Sequence, residues 1–242
     1  MGKLILAVKA QNVGDVKKLL RSESIVNERD NYNQTSLHLA SGLSANIEIV
    51  KLLLKKKADV NAQERDGWTP LHCGASEGRY DICALLLATD NIDVGTINKD
   101  GTSALHYLVR GTPDSTPAGR ALFQEVLRLY IDKGGEINIQ SKHGESALHQ
   151  SCLRGNVIAV EFLLENKAEI DCVNKFVPPV APFVSSNVGP SFAGWEKHLF
   201  IMLHELARKR SSRCFSSMEP TQWSSRVMEH LWTSPRPWRS QI

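Results

Sequence analysis

The chain has 242 residues, of which 42% are hydrophobic, and a formal net charge of +3. It is long and apolar enough for one globular domain or one elongated array, which excludes disorder throughout. From residue 176 onward eight Lys or Arg face four Glu and no Asp, so that end carries +4 and the preceding part −1. A nearly neutral main body lacks the electrostatic footprint of a nucleic-acid binder.

The five cysteines, Cys73, Cys83, Cys152, Cys172 and Cys214, are odd in number and show no C-x-x-C spacing. In a chain too long to need stapling, they read as reduced intracellular thiols. The apolar run Leu4 to Val8 is too short for a signal-peptide core, and Leu6 stands where myristoylation of Gly2 would want Ser or Thr. No apolar run reaches membrane-spanning length. A cytoplasmic chain is expected, with the nucleus as the alternative.

Taken in order, the chain opens with two short helical stretches, ILAVKAQN and GDVKKLLRS. One motif then appears four times: NQTSLHLA (33 to 40), GWTPLHCG (67 to 74), GTSALHYL (101 to 108) and GESALHQS (144 to 151). Its histidines, His38, His72, His106 and His149, are spaced 34, 34 and 43 residues apart. Each motif leads to an apolar helical run: IVKLLLKKK, ICALLLATD, VLRLYIDKG and VEFLLENKA. Thr35, Thr69, Ser103 and Ser146 stand where helix N-caps belong, and Pro70 follows Thr69 where its missing N–H costs nothing. Gly78 and Gly155 suit a left-handed turn between helices, and Asn33 tolerates that region better than most residues.

The combined T-P-L-H, G, L-L-L and A-D-V-N signature resembles the ankyrin repeat over about residues 4 to 175. The resemblance implies an all-α dominated solenoid of helix pairs with short β-hairpin loops. Five repeats are expected, at 4–29, 30–63, 64–97, 98–140 and 141–174. The first lacks a hairpin, as end caps do, and the fourth carries about ten additional residues, GTPDSTPAGR (111 to 120), read as a loop between its helices. That loop contains Thr112-Pro113 and Thr116-Pro117, both of proline-directed phosphorylation form.

The adjacent pair His72 and Cys73 could bind a metal or form a nucleophile, but its recurrence at the repeat period argues otherwise. Four histidines one repeat apart are displaced along a solenoid and do not converge on one ion. The resemblance implies that they hydrogen-bond backbone groups and tie neighbouring repeats together. No catalytic residue, metal site or cofactor is expected.

After Lys175 the pattern stops at FVPPVAPF, and residues 176–242 form a Pro-, Ser- and Trp-rich basic tail expected to be partly disordered. Within it, 194–210 sets Trp195, Leu199, Met202, Leu203 and Leu206 on one helical face. Two origins stay open for the tail, a native linker and cap or sequence from an alternative transcript. His204-Glu205 fails the H-E-x-x-H pattern because position 208 is Arg. The cluster RKRSSR, with Ser211 as a kinase acceptor, reads as a solvated basic helix end.

Arrays of the resembled family are protein-binding platforms, because stacking presents the same few positions again and again along one concave face. Those positions are Asn31, Tyr32, Gln34 and Leu43; Arg65, Asp66, Trp68, Ser76 and Glu77; Lys99, Asp100, Thr102 and Arg110; Lys142, His143, Glu145, Leu153 and Arg154. Trp68 is expected to stand exposed on its finger, where aromatic and Arg side chains dominate binding energy. The expected protein is a monomeric adaptor or scaffold in signalling that binds a folded protein partner, without nucleic acid or stable membrane insertion. The alternative is the N-terminal regulatory region, or a splice product, of a larger signalling protein such as a kinase or GTPase regulator.

Overall fold

A computed structural model describes residues 2–21, 25–42, 47–113 and 116–169. Leu43 and everything from residue 170 on, including the 176–242 tail and the helix expected at 194–210, lie outside the described residues. All described residues fall within one contiguous unit, Met1–Lys175.

Among the described residues there are ten helices: α1 (Lys3–Lys9), α2 (Val13–Leu19), α3 (Ser36–Gly42), α4 (Ile47–Lys55), α5 (Pro70–Ser76), α6 (Tyr80–Leu87), α7 (Ala104–Leu108), α8 (Pro117–Asp132), α9 (Ala147–Arg154) and α10 (Val157–Glu165). The odd-numbered helices touch in sequence, α1 to α3 to α5 to α7 to α9, and so do the even-numbered ones from α2 to α10. Two layers result, with the core between them. In α4, Ile49, Val50 and Leu53 are buried, whereas Glu48, Lys51 and Lys55 face solvent. Leu37, Leu71, Ile82, Leu86, Leu105 and Leu163 continue the same core from repeat to repeat. Burying each such side chain contributes about 1.5–3 kcal/mol, so the array depends on its neighbours for stability.

The inner helices begin as the sequence predicts. Thr69, extended at φ −100°, caps α5 by accepting the His72 N–H, and Pro70 takes the first helical position. Ser146 caps α9 in the same way, whereas at α7 the His106 N–H donates to the Ser103 backbone oxygen (3.1 Å). Between the helices of a pair the chain turns through the left-handed region, at Gly78 (φ +65°), at Gly155 (φ +64°) and, in the first pair, at Gln11 (φ +54°).

Each finger is a minimal hairpin. Two backbone bonds close it, the outer one from Asp30 N–H to Gln34 O (2.9 Å), Glu64 to Trp68 (2.9 Å), Asn98 to Thr102 (3.0 Å) and Ser141 to Glu145 (2.9 Å). Arg29 with Thr35, and Ile97 with Ser103, form isolated antiparallel bridges. Asn33, in place of the finger glycine, adopts φ +65°.

The 111–120 segment differs from the loop expected. Thr116 caps α8 by accepting the Gly119 N–H (3.0 Å), and Pro117–Arg120 already form the first turn of that sixteen-residue helix. Proline at the first position behind a threonine cap is a helix start, which explains why the segment is helical at its end. Further along α8, Phe123 packs edge-on against Tyr80 at 4.9 Å, and the buried Tyr130 hydroxyl donates to Val94 O at 3.1 Å.

Candidate protein-binding surface

The fingers are tied to one another by backbone. Arg65 N–H donates to Tyr32 O (3.0 Å), Lys99 to Asp66 O (2.8 Å) and Lys142 to Asp100 O (2.8 Å). Consecutive tips therefore form a ladder, and their side chains start from fixed positions. Gly101 is required by this ladder twice over: its φ is +73°, and a Cβ there would stand 3.1 Å from the Lys142 amide nitrogen.

Beneath the fingers the motif histidines join the repeats. Thr35, Thr69 and Ser103 donate their backbone N–H to Nδ1 of His38, His72 and His106, at 3.1, 3.3 and 3.2 Å. An accepting Nδ1 carries no hydrogen, so the hydrogen sits on Nε2. From there His38 donates to Trp68 O (3.0 Å), His72 to Thr102 O (3.1 Å) and His106 to Glu145 O (3.0 Å). Ser146 and His149 repeat the cap half of the arrangement. Burial disfavours the imidazolium, so the pKa of each of the three tying histidines lies below the usual value, and that of His72 falls to about 4.

The pair His72 and Cys73 is thereby accounted for. Both ring nitrogens of His72 are engaged, and burial pushes the Cys73 thiol up to about 12, so it is not a thiolate. The same cause raises Cys152 to about 12 and raises Cys83 as well.

Of the side chains chosen from sequence, Tyr32 is 62% exposed, and the Arg65 guanidinium lies over its ring, 5.8 Å from the centroid. Arg65 also donates to Asn31 O at 2.9 Å. Asp66 and Lys99 pair across adjacent fingers at 3.4 Å. Gln34, Thr102 and Glu145, the residues before the caps, are half-buried. Glu77 and Arg154 are exposed near the ends of α5 and α9 and join neither group.

Trp68 corrects an expectation. It is half-buried, with its ring 4.6 Å from Tyr107 and 6.2 Å from His72. The finger ladder brings the fourth repeat close enough for Tyr107 to cover one side of the indole. Asn98 Nδ2 holds the Tyr107 hydroxyl at 3.1 Å, and the Arg110 guanidinium lies 5.8 Å from the Tyr107 centroid.

Beside this aromatic stack a concavity of about 250 Å³ opens between the fourth and fifth repeats. Asp100, Thr102, Arg110, His143 and Glu145, all chosen from sequence, line it together with Tyr107, Ser141 and Gln150. Gln150 donates to the Glu145 carboxylate. Tyr107 and Gln150 escaped the sequence reading, although the signal was present: each directly follows a motif histidine, as Leu39 and Cys73 do. That register places one side chain per repeat on the inner helix beside the fingers.

These features define a class of protein: a helix-pair repeat solenoid with a rigid row of fingers and a concave inner face. A family model described as ankyrin repeats in three copies matches residues 4–98 and again 46–115, and another, ankyrin repeats in many copies, matches 124–164. The chain belongs to the ankyrin-repeat family, whose members are generally protein–protein interaction modules. Among the described residues no helix is long and apolar enough to cross a membrane.

Proposed function

We propose that this chain is a non-catalytic module that binds a folded protein partner through its finger tips and the concave face of its inner helices. The observation that carries the reading is the cluster of Trp68, Tyr107 and Arg110, of which Tyr107 and Arg110 line the concavity. Aromatic and Arg side chains held rigid by their neighbours lose little freedom on binding, which is why such groups dominate interface energetics. Charges of both signs, Asp66 and Asp100 beside Lys99, Arg110 and Lys142, favour a folded protein surface over a polyanion. A monomeric cytoplasmic adaptor or scaffold in signalling is the role that fits this surface.

The test is capture from cell extract by the full chain, with Arg110→Glu and Lys51→Glu compared in parallel. Both residues are exposed, but Lys51 lies on the outer helix α4. A protein held by the wild type and Lys51→Glu but lost with Arg110→Glu, while melting curves coincide, supports the concave site. Equal capture by all three chains refutes it.

A further inference from the structure

We propose that Thr112 is a phosphorylation site for a proline-directed protein kinase, and that Arg120 receives the phosphate, so that the modified residue fastens the segment after α7 to the first turn of α8. The two Thr-Pro steps of this segment are alike in sequence, but the structure separates them. Thr116 is committed to the fold: its side-chain oxygen caps α8. Thr112 is exposed, precedes the helix, and its hydroxyl makes no hydrogen bond to the described residues. Of the pair, Thr112 is the one whose hydroxyl no cap engages.

The surroundings are arranged to use the charge. Thr112, Pro113 and Arg120 line one concavity of about 340 Å³ together with Gly155, Asn156, Val157 and Ile158, the turn and first residues that lead into α10. The base of the segment is already anchored there, because Asn156 Nδ2 donates to Val109 O (3.1 Å) and Gly111 O (2.7 Å). Thr112 is thus held beside Arg120 and the fifth repeat. A phosphate opposite an arginine forms charge-assisted, often bidentate hydrogen bonds.

The chemistry is an ordinary phosphoryl transfer from ATP. Thr112 Oγ1 bonds to the γ-phosphorus, the bond from that phosphorus to the β,γ-bridging oxygen breaks, and ADP leaves. The hydroxyl proton passes to the kinase's catalytic Asp. Because the segment joins α7 to α8, away from the fingers, the modification acts on the start of α8 and leaves the finger surface open.

Two measurements on the full chain test this. In the first, the chain is incubated with ATP, magnesium and a proline-directed kinase, and the phosphate is located by fragmentation mass spectrometry. Phosphate on Thr112 in the wild type and in Thr116→Val, and its loss from that position in Thr112→Val, is the expected result; phosphate on Thr116 alone, or on neither, overturns the assignment. In the second, phosphothreonine is installed at 112 by genetic encoding and amide hydrogen exchange is followed in α8 and α10. Exchange at the start of α8 should slow several-fold in the wild-type background and be unchanged in Arg120→Gln, with Arg120→Lys retaining part of the effect. No slowing, or equal slowing in Arg120→Gln, removes the proposed tie.

Discussion

His72 has both ring nitrogens committed, one to the cap of its own helix and one to the carbonyl of Thr102 in the next repeat. Truncating it leaves the buried Thr69 N–H unpaired and removes one of the two bonds to Thr102 O, so His72→Ala should destabilise by roughly 1–3 kcal/mol in urea unfolding at neutral pH. The arrangement also fixes a pH dependence. In the unfolded chain His72 protonates near its usual 6.5, in the folded chain only near 4, so between these values the unfolded state binds the extra proton. Its contribution is complete above about pH 6.5 and is lost as pH falls towards 4, amounting to about 3 kcal/mol. His38 and His106 shift in the same direction. Stability measured from pH 7 to 4.5 should therefore fall more steeply in the wild type than in His72→Ala; parallel curves would mean that His72 is not held neutral. Trp68 shows where sequence reading ran short. Its position before the cap is one that ankyrin arrays expose, and nothing local announces that Tyr107, thirty-nine residues later, lies 4.6 Å away. Trp68→Ala should consequently lower stability by about 1 kcal/mol through the lost aromatic pair, besides weakening binding. An unchanged melting midpoint would restore the purely exposed reading.

The finger is the element whose geometry was most legible. Its turn residues declare a backbone with positive φ, and Asn33 in the glycine position obeys the same requirement. The approach of one finger to the next was not legible, since no local pattern encodes a contact across a repeat. Gly78 and Gly101 separate these two demands. A Cβ at Gly78 would meet open space, leaving only the left-handed penalty of about 1–2 kcal/mol. At Gly101 the same penalty applies, and the Cβ also crowds the Lys142 backbone. Gly101→Ala should therefore cost clearly more than Gly78→Ala in matched denaturant titrations. Equal costs would show that the finger ladder yields without resistance. The start of α8 carries the opposite lesson. Thr116-Pro117 is a helix-start signal, but the lengthened spacing of the fourth motif masks it, because an insertion between paired helices is ordinarily loop.

At the scale of the whole array, stability is a sum of repeat terms and junction terms, because each inner helix packs chiefly on its own outer helix and on its neighbours in the row. Fold class was readable from the sequence for that reason: a periodic pattern needs one correct unit, and stacking supplies the rest. The histidine bonds make the junctions unequal in kind from the helix packing, since each spans two repeats with a single side chain. His38 joins the second to the third, His72 the third to the fourth and His106 the fourth to the fifth. Weakening the middle junction should then do more than lower overall stability; it should partly uncouple the two sides. In native-state hydrogen exchange of His72→Ala, amides of α9 and α10 should lose protection relative to those of α3 and α4, whereas in the wild type the two sets should open together. An equal loss on both sides would show that the array remains one cooperative unit and that the helix packing across α5 and α7 alone carries the coupling.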